Sequence, residues 1–186
     1  MRKIVLWMSM SLDGYMEGPG RDISWHRVDE ELHRYVNEAL RPMSAFLSGR
    51  VTWELMAKFW PTAGKDYPDN PVMADFSKIW IDMPKYVYSR TLKSASWNTV
   101  VCKEVDPGQV RALQAQPGGD MTVGGADLAA EFMRLDLVDA YRIFVHPVVL
   151  GKGKLLFSPM ERSINLKLAE TRGFGNGVVM LRYDRV

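Results

Sequence analysis

From Ile4 to Met10 every residue but Ser9 is apolar, as expected of a strand covered on both faces in a partly parallel sheet. Ser11 to Gly20 then leaves this strand as a glycine-rich loop, too long and irregular for a minimal turn, although Asp13-Gly14 and Gly18-Pro19-Gly20 each also read as ordinary turns. Val28, Leu32, Tyr35, Val36, Ala39 and Leu40 repeat at helical spacing, which predicts a helix over 28–40 that Arg41-Pro42 ends. Met43 to Ser48 is a second strand and runs directly into Gly49-Arg50 and a helix. Thr62 to Asn70 carries Gly, Pro, Asp and Asn and reads as a loop, and Asn70-Pro71 opens a helix to about Ile81.

The pattern continues in the same alternation. Lys85 to Ser89 and Asn98 to Cys102 are short strands, and Asp106-Pro107 starts a helix with Val110 and Leu113 inward. Gly118-Gly119 ends it and leads into a short apolar strand, the pair Gly124-Gly125, and at once an amphipathic helix over 126–135. Ala140 to Leu150 is a long strand interrupted near Pro147. Ile164 to Leu168 and Val178 to Tyr183 are the last strands, with a hairpin connection at 173–177. This order predicts an α/β fold: a mixed, mainly parallel sheet with an antiparallel C-terminal edge, flanked by helices in three layers.

Composition narrows the picture. A chain of 186 residues with 47% hydrophobic content is expected to form a single domain, residues 1–186. The net charge of +2 is spread along the chain and not gathered into a tract, so neither nucleic acid nor a membrane surface is expected as partner, while a small anionic ligand stays open. Cys102 is alone, which argues against a disulfide framework and for a cytoplasmic setting. His26, His33 and His146 have no metal-ligand spacing, so no metal is expected. The apolar run at the N-terminus is short and lacks a cleavage pattern, and no stretch reaches the roughly 20 residues of a membrane span.

The candidate chemistry lies where strands end. A strand that hands Gly124-Gly125 to a helix surrounds one point with unpaired N–H groups and the positive end of the helix dipole, a place to hold phosphate. Gly49-Arg50 repeats the junction with an arginine whose planar fork suits phosphate. Ser89-Arg90-Thr91 places hydroxyls and a guanidinium at the carboxyl end of a third strand. Gly151-Lys152-Gly153-Lys154 lacks the rest of a phosphate-loop pattern and reads as a turn. Asp29 falls inside or beside the apolar arc of the first helix, so its carboxylate either faces a pocket or is an N-terminal acid favoured by the helix dipole. Of these two, the pocket acid is the candidate catalytic residue.

Ser11-Leu12-Asp13-Gly14, Gly49-Arg50-Val51-Thr52-Trp53-Glu54, Ser89-Arg90-Thr91-Leu92, Val123-Gly124-Gly125-Ala126-Asp127-Leu128 and the run Pro147 to Phe157 together resemble the dihydrofolate reductase superfamily. Within it, the resemblance is to the branch containing the reductase domain of the bifunctional riboflavin-biosynthesis deaminase-reductase. It implies a dihydrofolate-reductase-like sheet, NADPH as hydride donor, a homodimer, and a heterocyclic substrate such as 5-amino-6-(5-phosphoribosylamino)uracil. It also assigns roles. Gly124, Gly125, Ala126, Asp127 and Leu128 would cradle the pyrophosphate and adjoining ribose, Gly49, Arg50 and Thr52 would hold the phosphates, and Ser89, Arg90 and Thr91 would meet the 2′-phosphate side. Met16 would lie near the nicotinamide, Trp7 would line the substrate side, and Asp13 would order the loop or reach the substrate. Two departures stand out: Trp7 takes the place of a lysine that riboflavin-pathway reductases carry on the first strand, and Lys58-Phe59-Trp60-Pro61 replaces an Asp-Asn-Pro stretch. These departures keep a second reading open, a nucleotide-binding homodimer that retains the fold without turnover.

Overall fold

The N-terminal apolar run forms strand β1 (Ile4–Ser11) in a computed structural model that describes all 186 residues. It is followed by β2 (Tyr15–Glu17), α1 (Glu30–Leu40), β3 (Ala45–Gly49), α2 (Arg50–Asp66), α3 (Pro71–Asp82), β4 (Lys85–Tyr88) and β5 (Thr99–Cys102). Then come α4 (Pro107–Ala115), β6 (Met121–Gly124), α5 (Ala126–Arg134), β7 (Ala140–His146), β8 (Lys154–Leu155), β9 (Leu166–Gly173) and β10 (Val179–Arg185). Eight strands form one sheet in the order β5-β4-β3-β6-β1-β7-β10-β9, while β2 and β8 pair as a separate ribbon. The pairs from β5 to β7 are parallel, and β10 is antiparallel to both β7 and β9. This is the α/β sheet the strand-helix alternation predicts.

β1 is central because its side chains have apolar partners on both faces. Ile4 and Leu6 are fully buried in one cluster with Val110 of α4 and Phe132 of α5. Trp7 points the other way, against clusters built on Leu32 of α1 and on Phe76 and Trp80 of α3. Helices therefore cover both faces, which is what a parallel sheet requires. Since β5, β4, β3, β6, β1 and β7 run in one direction, their carboxyl ends share one edge. That edge carries the candidate site.

Two boundaries differ from expectation, and a third, at Pro147, falls where the interruption is expected. α2 does not stop at Pro61 but runs to Asp66. Pro61 gives up its bond to the carbonyl four residues back, and packing outweighs the loss: Ala63 is fully buried, and a Cβ on Gly64 would lie 3.3 Å from the Ala74 Cα of α3. The Ser77 hydroxyl donates to the Trp60 carbonyl at 2.6 Å beside the proline. β7 ends at His146, because Pro147 has no N–H to continue the ladder. The last hairpin is longer than the alternating pattern marks, with β9 reaching from Leu166 to Gly173. Between its strands Gly177, at φ +87°, supplies the left-handed turn.

Phe132, fully buried and edge-on to Tyr88 at 5.5 Å, ties α5 to the sheet. Phe132→Ala is expected to destabilise the chain by about 3–5 kcal/mol, read as a lower urea midpoint with an unchanged slope.

Candidate functional site

β4, β3 and β6 are neighbours, so Ser89-Arg90-Thr91, Gly49 to Thr52 and Gly124 to Leu128 stand side by side on the carboxyl edge of the sheet. Glycine at 125 has a steric cause: its φ is +89°, and a Cβ would lie 2.8 Å from the Thr52 hydroxyl oxygen. The first turns of α2 and α5 therefore meet at this point. Neither Gly49 nor Gly125 offers a side chain to cap its helix. The Gly125 N–H faces the Met8 Sδ at 3.1 Å and the Ala126 N–H faces the Met16 Sδ at 3.3 Å. Thioethers are weak acceptors, so an oxygen of an anion is the better partner for these two donors. A Cβ on Gly49 would meet nothing within 4 Å, which leaves its backbone open to approach.

The side chains around this cradle have local partners. Arg50 donates to both carboxylate oxygens of Glu54, at 2.9 and 3.1 Å. An arginine at a helix N-terminus opposes the dipole, and Glu54 offsets that charge one turn later. The Ser89 hydroxyl oxygen accepts from the N–H groups of Thr91 and Leu92 at 3.2 and 3.0 Å, which bends the chain at the end of β4. Arg90 is exposed; with Arg134, the larger influence, it holds the Glu131 carboxyl below its usual range. Asp127 is exposed and pairs with Lys154 at 2.5 Å. Ala126 and Leu128 are buried, so only their backbone can serve a ligand.

The loop after β1 closes the front of the cradle. Asp13 accepts from the Ser11 hydroxyl at 2.6 Å and from the N–H groups of Leu150 and Gly151 at 3.0 and 2.7 Å. These bonds, the Ser11 hydroxyl first among them, hold its pKa down to about 2. Of the two roles expected for Asp13, ordering the loop is the one its contacts show. Met16 lies in β2, which the β8 ribbon holds over the start of α5.

On the α1 face, Trp7 is half-buried between Phe144, 5.7 Å away, and the Arg142 guanidinium, 4.7 Å from its ring. Its carbonyl lies 3.7 Å from where a Gly124 Cβ would stand, so Trp7 is level with the centre of the cradle. Asp29 does not face a pocket. It is exposed, and its carboxylate accepts from the Leu32 N–H at 2.9 Å as the N-cap of α1. Its extended backbone, at φ −101° and ψ −179°, aims the side chain at the unpaired donors of the first turn, and so the capping role prevails over the pocket role.

The sequence reading missed a histidine pair at the end of β7. His146 is fully buried beside Ser11, and its ring stacks on His26 at 4.9 Å. The His146 Nδ1 accepts from the Arg27 N–H at 3.0 Å, so the ring is neutral with its proton on Nε2, which has no partner. Asn176 donates to the Arg27 carbonyl at 3.0 Å, and Glu31 accepts from the Gly175 N–H at 3.0 Å. The segment before α1 is thus fixed from below by β7 and from the side by the last hairpin. The signal available in sequence was His146 beside Pro147, a polar residue at the stop of an apolar strand. The roles of Met8 and Lys154 had no such signal, since each depends on a contact with the start of α5, distant along the chain.

A strand-edge cradle of this kind on a mixed sheet defines an α/β domain with the dihydrofolate-reductase-like fold. The chain belongs to the RibD C-terminal domain family, whose sequence model matches residues 2–180. The uncharacterized protein YyaP of Bacillus subtilis (strain 168) is 33% identical over 98% of this chain and 94% of its own length. Among solved structures, a protein assigned to riboflavin biosynthesis from Shewanella sp. PV-4 superposes with a TM-score of 0.76 at 20% identity, covering 100% of this chain and 99% of that one. Dihydrofolate reductase from Enterococcus faecalis, complexed with NADP(H) and RAB-propyl, gives a TM-score of 0.65 at 13% identity over 98% and 96%. No helix is long and apolar enough to cross a membrane.

Burial, then the charges of His26 and Arg27, push His146 down to about 4, and burial also lowers His26. Between an unfolded pKa near 6.5 and the folded value, the unfolded chain binds the proton and the folded one does not. Stability is therefore expected to be full above that unfolded pKa and to fall on acidification, by up to about 1.4 kcal/mol per pH unit from His146 alone. His146→Asn keeps an acceptor for the Arg27 N–H without a titrating ring. It should flatten the dependence of the unfolding midpoint on pH between 6.5 and 4.

Proposed function

We propose that this chain is an NADPH-dependent reductase that delivers hydride to a C=N or C=O carbon of a flat heterocycle, of the pterin or pyrimidine-ribosylamine class. The observation that carries the reading is the adjacency of three anion-friendly strand ends, with two N–H donors at Gly125 and Ala126 that have only thioether sulfurs to face. The residues fit a dinucleotide phosphate chain. Gly124 to Leu128 would hold the pyrophosphate through backbone N–H groups, Gly49, Arg50 and Thr52 would take the neighbouring phosphate oxygens, and Ser89, Arg90 and Thr91 would meet the 2′-phosphate. Bound there, NADPH supplies the hydride.

What the protein adds is position. Met8 and Met16, whose sulfurs now face the Gly125 and Ala126 N–H groups, would give way at the helix start, and Met16 would lie near the nicotinamide. Trp7 offers an apolar wall level with Gly124 for a flat acceptor ring. Asp29 caps α1 and Asp13 is held by the 148–151 segment, so the proton that completes reduction comes from water and not from either carboxylate. The RibD C-terminal family and the dihydrofolate-reductase-like neighbours support a reductase of this type. The same reading includes a homodimer formed through the C-terminal strands, where Leu166 and Leu168 of the edge strand are 38% and 52% exposed.

NADPH is expected to protect the chain against thermal unfolding. Arg50→Ala with Arg90→Ala should weaken NADPH by about a hundredfold and NADH less, two charge-assisted contacts being worth about 1.5–3 kcal/mol each less what Arg50 gives up from Glu54. Absence of binding of either nucleotide at about millimolar concentration, well above the affinity such contacts provide, overturns the reading. NADPH binding without oxidation across pterins, pyrimidine ribosylamines and quinones supports instead the nucleotide-binding dimer without turnover.

A further inference from the structure

β7 and β10 place Arg142 and Arg182 directly opposite each other, on the sheet face that α1 only partly covers. Like charges directly opposite across strands are destabilising unless something neutralises them. Arg182 has Glu170 at 3.9 Å, the outer limit of an ion pair. Arg142 has no carboxylate partner; its guanidinium stacks on Trp7, and its Nε is buried without a hydrogen-bond partner. The two line a groove of about 410 Å³ beside α1, together with Lys3 and Arg172. Lys3 reaches Asp184 at 3.3 Å and Arg172 reaches Glu31 at 3.8 Å. Two acids also face the groove, Glu38 from α1 and Asp120, whose carboxylate already accepts from the Lys3 N–H at 2.8 Å. The anion-friendly part is therefore the Arg142–Arg182 pair, with Glu38 as the acid that faces it across the groove.

We propose that this arginine pair is a binding site for a phosphate- or carboxylate-bearing ligand, separate from the strand-edge cradle. Two guanidiniums on neighbouring strands can each present paired N–H donors to one anion, and the anion removes the repulsion between them. Arg142 itself is near the cradle, while Lys3, Asp120 and Ala140 carry the rest of the groove toward the amino ends of the strands. Trp7 is level with Gly124, and Arg142 is paired with Trp7 one strand further on, so Arg142 lies about two strand spacings, about 10 Å, from the glycine pair. A ring lying on Trp7 would set an anionic tail at Arg142 and Arg182. That last step rests on the hydride-transfer reading; the anion site itself does not.

The test uses inorganic pyrophosphate and the full chain carrying Arg50→Ala and Arg90→Ala, so that the cradle does not compete. Calorimetry is expected to show binding that Arg182→Gln weakens about tenfold or more, the effect of one charge-assisted contact. Glu38→Gln should tighten it about threefold by removing a facing charge. Arg142→Gln should also weaken it, but that variant loses the stack on Trp7, so the half-buried Arg182 and the exposed Glu38 decide. Binding unaffected by Arg182→Gln and by Glu38→Gln, or no binding at about 10 mM, far weaker than such a pair should hold, overturns the site. Flavin mononucleotide against riboflavin separates the two sources of the anion. A tail site predicts tighter binding of the phosphorylated ring and loss of that advantage in Arg182→Gln, whereas a free-anion site predicts pyrophosphate binding with no such advantage. Failure of NADPH to bind the unmodified chain would sink the reductase reading and leave the pyrophosphate result standing.

Discussion

β1 is the strand on which the rest depends, because it is apolar on both faces and hydrogen-bonded to a parallel partner on each side. Both constraints act together. A strand with Leu6 on one face and Trp7 on the other cannot lie at a solvated surface, so helices must cover it above and below. Parallel partners cannot be joined by tight turns, so those helices are the crossovers. The direction of travel then gathers the ends of six strands on one edge, where glycines 49, 124 and 125 lead straight into helices or their first turns. Site and core thus have a common origin. The hydrophobic term that buries β1 also aligns the helix N-termini that would hold a charged ligand.

At that edge the groups an anion would use already have partners within the protein. Met8 and Met16 shield the N–H groups of Gly125 and Ala126, and Glu54 engages Arg50. In each case the partner is the weaker choice: a thioether where an oxygen would bond better, and an exposed ion pair worth at most about 1 kcal/mol. Such contacts keep donors from being stranded and give way at small cost. Asp13 is the opposite case. Two of its three bonds join the loop after β1 to the 148–151 segment, the third ties it to Ser11, and together they hold the carboxyl well below its usual range. The front wall of the cradle is therefore firm where Asp13 holds it and yielding where the methionines lie.

The fold was legible because its main signals are local or periodic. The Ile4 to Met10 run, the Asn70-Pro71 and Asp106-Pro107 helix starts and the Gly124-Gly125 junction all appear where the alternation of residue types places them. Pro61 misled because its local cost is visible in sequence, whereas the close seat of Ala63 and Gly64 against α3 is not. Asp29 shows a different limit. Periodicity places its Cα on the border of the buried arc, but only the extended backbone at the N-cap decides that the carboxylate turns to Leu32. The cradle residues were legible as motifs at strand ends. The pairings that complete the site, Met8 with Gly125, Lys154 with Asp127 and His146 with Arg27, join residues more than 25 positions apart, so no local pattern encodes them.

Arg142 connects these two kinds of information. In sequence it is a single charge within an otherwise apolar strand, Ala140 to His146, an expensive residue to keep half-buried without a partner. In the fold its guanidinium lies over Trp7 of β1, 4.7 Å from the ring. The positive charge sits one strand away from β1, held against an indole face. An aromatic wall backed by a cation suits a flat ring stacked on the indole and leaves the charge for a group beyond the ring, so on the reading proposed above it would shape what stacks there more than the electrostatics of the cradle.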